Sequence, residues 1–77
     1  MLARDPVYQV LLKVAQNLHT PEEGLRILAG SVHNCVREAV AKHPNVPEDV
    51  LKVLILDPYW KVAKAAKISI WKRKIVV

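Results

Sequence analysis

Residues 31–56, SVHNCVREAVAKHPNVPEDVLKVLIL, decide how this chain is read, because they lie over residues 5–30, DPVYQVLLKVAQNLHTPEEGLRILAG, without a gap. Val10 stands over Val36, Val14 over Val40 and Ala15 over Ala41; Pro21 stands over Pro47, Glu22 over Glu48, Leu25 over Leu51 and Leu28 over Leu54. Residues 57–77 start a third copy, with Asp57-Pro58 in phase with Asp5-Pro6, Val62 with Val10 and Val36, and Ala65 with Ala39. Both prolines and both leucines stay in register over a period of 26 residues, which is more than coincidence supplies. A fixed period of this length marks supersecondary units that bury their apolar faces only by stacking on one another. The expected organisation is one helical-repeat domain over 1–77, with repeats 5–30 and 31–56 and a partial, divergent, basic repeat 57–77.

Each copy reads as two short helices. Asp5 and Asp57 suit an N-cap, and Pro6 and Pro58 suit the first helical position, where a missing N–H costs nothing. Thr20-Pro21-Glu22-Glu23 has the spacing of a capping box, with Asn45-Val46-Pro47-Glu48 as its looser counterpart. Glu22, Glu23, Glu48 and Asp49 put negative charge at helix N-termini, and Gly30 is placed to stop a helix. Apolar positions step by three and four along Val7, Val10, Leu11, Val14 and Leu18, and again along Val36, Ala39, Val40 and His43. These define the expected core face of the first helix in each copy. The second helices turn Leu25 and Leu28, or Val50, Leu51 and Leu54, inward. Helices this short need tertiary packing to persist.

Composition narrows the function. With 77 residues there is room for one domain, and with no Phe and two Gly neither a turn-rich β fold nor a glycine-rich phosphate loop is expected. The longest apolar run, Val53 to Leu56, is too short to span a bilayer. The start lacks a secretory pattern, so the cytoplasm is the expected location. Cys35 is the single cysteine, too few for an internal disulfide or a metal cluster, and it aligns with polar Gln9 and Lys61, which predicts an exposed free thiol. His33 and Cys35 would point away from each other on a helix, and His19 and His43 stand beside the repeat corners, where a ring can hydrogen-bond the turn. No metal or other cofactor, no small-molecule substrate and no catalytic constellation is expected, so the chain is read as a non-enzyme.

From Val36 to Ala66 the sequence VREAVAKHPNVPEDVLKVLILDPYWKVAKAA resembles the leucine-rich repeat variant family, a relative of HEAT-like repeats. The resemblance rests on Val36-Arg37, the alanine-bearing helix to Ala41, His43-Pro44-Asn45-Val46-Pro47, Leu51, Leu54 and Asp57-Pro58, and extends over about residues 5–68. In the first copy Leu11 replaces the arginine, and in the last Ser69-Ile70-Trp71-Lys72-Arg73 replaces the proline corner. The resemblance implies an all-α, right-handed solenoid of about two and a half repeats that alternate α and short or 3₁₀ helices. It also implies that the aromatic at Trp60 serves packing. It implies no common activity.

The formal charge of +5 is unevenly placed. Residues 57–77 carry Lys61, Lys64, Lys67, Lys72, Arg73 and Lys74 against Asp57 alone, whereas residues 1–56 balance. On a helix, Trp60, Lys64, Lys67 and Trp71 share a face. Lys61, Lys64, Lys67, Trp71, Lys72, Arg73 and Lys74 are therefore the candidate binding residues for an anionic partner. Trp71 is alternatively a cap on the open end of the core. The tail through Ile75-Val76-Val77 is expected to fold over the last repeat or to enter another chain. The function expected is protein–protein binding or self-association through the repeat surface, with nucleic-acid binding through the basic end as the alternative and a membrane surface as the least favoured partner.

Overall fold

Asp57 and Ser31 set the frame of the fold from equivalent positions. The Asp57 carboxylate accepts a hydrogen bond from the Tyr59 N–H at 2.9 Å, and the Ser31 hydroxyl accepts one from the His33 N–H at 3.1 Å. Each is a side-chain turn that delivers the chain into a helix three residues later. In the computed structural model, which describes residues 6–75, five helices follow one another: α1 (Pro6–Gln16), α2 (Glu22–Leu28), α3 (Asn34–Lys42), α4 (Glu48–Leu54) and α5 (Trp60–Ile75). The described residues are all-α and contain no strand. The starts of α2 and α4 are 26 residues apart, as are those of α3 and α5. The short elements α2 and α4 are α-helices of seven residues each, so the 3₁₀ alternative does not hold for them.

Several local expectations change. Thr20 does not cap α2. Because Pro21 takes the N-cap position, Thr20 falls one residue too early, is buried, and its hydroxyl donates to the Val14 carbonyl in the last turn of α1. Asp57-Pro58 does not open α5 either; the first helical N–H bonds run to the Tyr59 carbonyl, and the helix begins at Trp60. Asp5, Val76 and Val77 lie outside the described residues, so the cap at Asp5 and the course of the tail do too. Gly30 makes its turn without positive φ, and Leu56 makes the matching turn 26 residues later, so the stop requires no glycine conformation.

The helices pack in a row with α3 between α1 and α5, while α2 fits against α1 and α3, and α4 against α3 and α5. Leu25, Val36, Val40, Ala41, Leu51 and Val62 are fully buried, joined by Ala15, Leu28, Val46, Val50, Leu54, Ala65 and Ala66. Matched positions therefore supply most of the core. The corners are stitched by polar bonds between copies. His43 Nε2–H donates to the Asn17 carbonyl at 2.7 Å while its Nδ1 accepts from the Asn45 N–H at 3.0 Å, so one ring joins the two corners. Ser69, the counterpart of His43, reaches back in the same way to the Ala41 carbonyl.

The strongest polar lock joins α3 to the start of the last segment. Arg37 Nε and Nη2 grip the Asp57 carboxylate at 2.7 and 3.2 Å, Nη1 donates to the Ser31 carbonyl at 2.7 Å, and Nη2 also meets Asn34 Oδ1 at 2.8 Å. Burial pushes the Asp57 carboxyl up, but the hydrogen bonds from Arg37 and the Tyr59 N–H, with the guanidinium charge, outweigh it and hold the group below the usual carboxylate range.

Candidate functional site

Two surfaces stand out, one at each end of the row of helices. The first is on α1. The inward side chains of this helix are Tyr8, Leu11, Leu12 and Ala15, which pack on the core. The expected inward set is corrected here. Val7, Val10 and Val14 are 59%, 60% and 41% exposed and Leu18, just past the helix, is 63% exposed. The counterparts of Val10 and Val14, which are Val36, Val40, Val62 and Ala66, are fully buried, because α3 and α5 each turn this face toward the helix before them in the row. Among the described residues no helix precedes α1. The result is a contiguous apolar strip of a kind that monomers rarely leave open.

The second surface is α5. At about 100° per residue, Trp60, Lys64, Lys67, Trp71 and Lys74 fall within an arc of about 80° on the side opposite Val62, Ala66 and Ser69. All five are exposed. Trp60 is therefore not the packing aromatic that the family resemblance implied, and Trp71 does not cap the core; they are 63% and 61% exposed. Val62, Ala65 and Ala66 take the core side of α5 in its place. Lys61 and Lys64 hold their ammonium groups 5.8 and 6.0 Å from the Trp60 ring centroid, a cation–π arrangement at a wet surface. Apolar and polar side chains are spread almost evenly round α5, unlike a helix that lies in a membrane interface.

The seven sequence candidates thus divide. Lys64, Lys67, Trp71 and Lys74 share the outer face with Trp60. Lys61 lies toward α3, in a shallow hollow that Lys64 and Trp60 also line, together with Glu38 and Lys42. Lys72 and Arg73 turn to the other side and line a groove with Lys42, His43 and Pro44. Lys42, His43 and Pro44 escaped the sequence reading because their proximity to α5 is tertiary.

The remaining chemistry-bearing residues do not converge. Cys35 is an exposed thiol beside the Tyr8 hydroxyl, and the hydrogen bond between them raises the phenol above its ordinary value. His33 is not in a helix but caps α3; its ring is buried and tilted against Tyr8 at 5.1 Å between centroids. His33 Nδ1 has no hydrogen-bond partner. Among the described residues no group of three or more His, Cys, Asp or Glu stands close enough to hold a metal ion, and no helix is long and apolar enough to cross a membrane. Comparison with known proteins gives no family model, curated protein or solved structure that matches the chain.

Proposed function

We propose that this chain is a non-enzymatic interaction module, a short helical-repeat solenoid of the leucine-rich repeat variant kind that binds another protein or a second copy of itself. One observation carries the reading: Val10 and Val14 are open on α1, while the matched Val36 and Val40 of α3 and Val62 and Ala66 of α5 are buried. A stacked repeat exposes such a face only where a further apolar helix is to be received. The 26-residue offsets of the helix starts and the matched bonds of Ser31 and Asp57 support the repeat reading on which this rests. Sedimentation of the protein across a range of concentrations tests it. The wild type is expected to associate, and Val10→Asp to remain a monomer with an unchanged helical spectrum. A wild type that stays monomeric at every concentration, and that no apolar helical partner binds, overturns the reading.

A specific observation also favours nucleic acid as a second reading. Trp60 and Trp71 are exposed on one face with Lys64 and Lys67 between them, and indoles that are free to stack beside ammonium groups suit a single strand. Binding of labelled single-stranded RNA should then fall steeply with salt, by a log–log slope of about −0.7 for each phosphate neutralised. It should also fall in Trp71→Ala.

A further inference from the structure

Helix α3 ends at Lys42, because His43 turns extended ahead of Pro44. The position equivalent to Lys42 in the last copy is Ile68, and there the chain has no proline, so α5 runs on to Ile75. This overrun changes the surface. Between the ends of α1 and α3 lies a small hollow of about 210 Å³, lined in part by Ala15, Leu18, Ala39 and Pro44. One copy further on, between α3 and α5, the equivalent hollow becomes a groove of about 770 Å³, because Lys72 and Arg73 on the extra turns now wall it.

The lining has a definite chemistry. Ala65, Ile68 and Pro44 make an apolar floor, and Lys42, Lys72 and Arg73 make the rim. Among the described residues no carboxylate lines this groove. The other polar groups are already engaged, His43 with Asn17 and Asn45 and the Ser69 hydroxyl with the Ala41 carbonyl. Lys42 is shared with Glu38 at 3.1 Å, whereas Arg73 has only a long bond, 3.4 Å, to the Pro44 carbonyl. Most of the guanidinium's five N–H donors are therefore open to a ligand. The rim also stands at the C-terminal end of α5, where the cations complement the helix dipole.

We propose that this groove binds an acidic peptide segment that presents an aliphatic side chain flanked by carboxylates. The aliphatic group lies on Ile68, Ala65 and Pro44, and the carboxylates meet Arg73 and Lys72, the arginine in its paired-donor geometry. Nucleic acid fits this groove less well, because among the described residues no aromatic side chain lines it, Trp60 lining the neighbouring hollow instead. The inference is independent of the α1 face and of the outer face of α5.

The test is a fluorescence-anisotropy titration of the whole chain with a labelled peptide of one leucine between pairs of aspartates. A peptide with serine for leucine and a labelled oligothymidine serve as comparisons. The expected result is saturable binding of the leucine peptide, weakened about ten-fold, or about 1.4 kcal/mol, by serine for leucine and by at least as much in Lys72→Gln/Arg73→Gln. Trp71→Ala should leave it unchanged. Circular dichroism of the double variant keeps loss of binding distinct from loss of fold, since both side chains are exposed. Absence of peptide binding overturns the proposal. So does binding indifferent to Lys72 and Arg73 or to the leucine, and so does oligothymidine bound in the groove as tightly as the peptide.

Discussion

Helices α1 and α3 occupy equivalent places in the repeat and carry the same valines, yet Val10 and Val14 are open while Val36 and Val40 are fully buried. Local sequence is not the cause, since both helices step their apolar residues by three and four. The difference is position in the row, because α3 has α1 in front of it and α1 has no described helix in front of it. A periodic sequence thus specifies which face is apolar, and stacking order specifies whether that face is core or contact surface.

One charge placed at matched sites separates these cases most sharply. Val40→Asp puts a carboxylate among Val36, Ala41 and the rest of the core, where an unpaired charge is not tolerated. For a domain of this size, with stability of a few kcal/mol, it should abolish the cooperative thermal transition. Val14→Asp, the same change 26 residues earlier, should keep that transition and lower only the tendency to associate. Calorimetry of the two variants decides the matter. Comparable destabilisation by both would mean that α1 buries its valines within the monomer.

The second largest contrast concerns Leu11 and Arg37, again equivalent positions. Leu11 packs partly against the core, and the position 26 residues before Asp57, at the start of the copy that follows Leu11, is the neutral Ser31. Arg37 instead holds Asp57, with 13% and 6% of the two side chains exposed. The pair changes together, leucine with serine and arginine with aspartate. Arg37→Leu should therefore cost about 3 kcal/mol, the lower end for breaking a buried pair, because the carboxylate is left without its partner. Arg37→Leu/Asp57→Ser, the combination found one period earlier at Leu11 and Ser31, should restore much of that loss in a double-mutant cycle. The same pair gives a pH dependence of definite sign. Asp57 is held below its unfolded value of about 3.9, so its contribution is complete above that pH and is lost as pH falls through the lowered folded value. Urea midpoints between about pH 5 and pH 2 should show this fall in the wild type and a shallower one in Arg37→Leu.

These contrasts also mark what the sequence discloses. Leu25, Leu28, Val50, Leu51 and Leu54 were placed inward from spacing alone and are buried, because short helices between proline corners leave one face to bury. The exposure of Cys35 followed from its polar neighbours in register, and the turn-binding ring of His43 followed from its place at a corner. Thr20 misled because a capping box depends on which residue occupies the N-cap, and a proline shifts that frame by one. Trp60 misled because an aromatic has no fixed side; only the alanines and valine it would displace decide it. The groove at Lys72 and Arg73 was half legible. The missing proline corner is plain in Ser69-Ile70-Trp71, but the approach of Lys42 and Pro44 depends on how α3 and α5 pack.

The smallest effect is expected at the other ion pair between copies. Arg26 on α2 grips Asp49 on α4 through two bonds, and that bonding is what chiefly lowers the Asp49 carboxyl and raises the Arg26 guanidinium. The geometry resembles that of Arg37 and Asp57, but 47% and 63% of these side chains stand in water, where salt screens them and hydration competes. Both helices are seated by apolar side chains in the core, Leu25 and Leu28 on α2 and Val50, Leu51 and Leu54 on α4. Arg26→Gln should therefore shift the thermal midpoint barely beyond the scatter of replicate melts, and added salt should remove even that. A large shift that persists in high salt would mean that charge, not the leucines, sets the spacing of α2 and α4, and the repeat would then be held together at its surface.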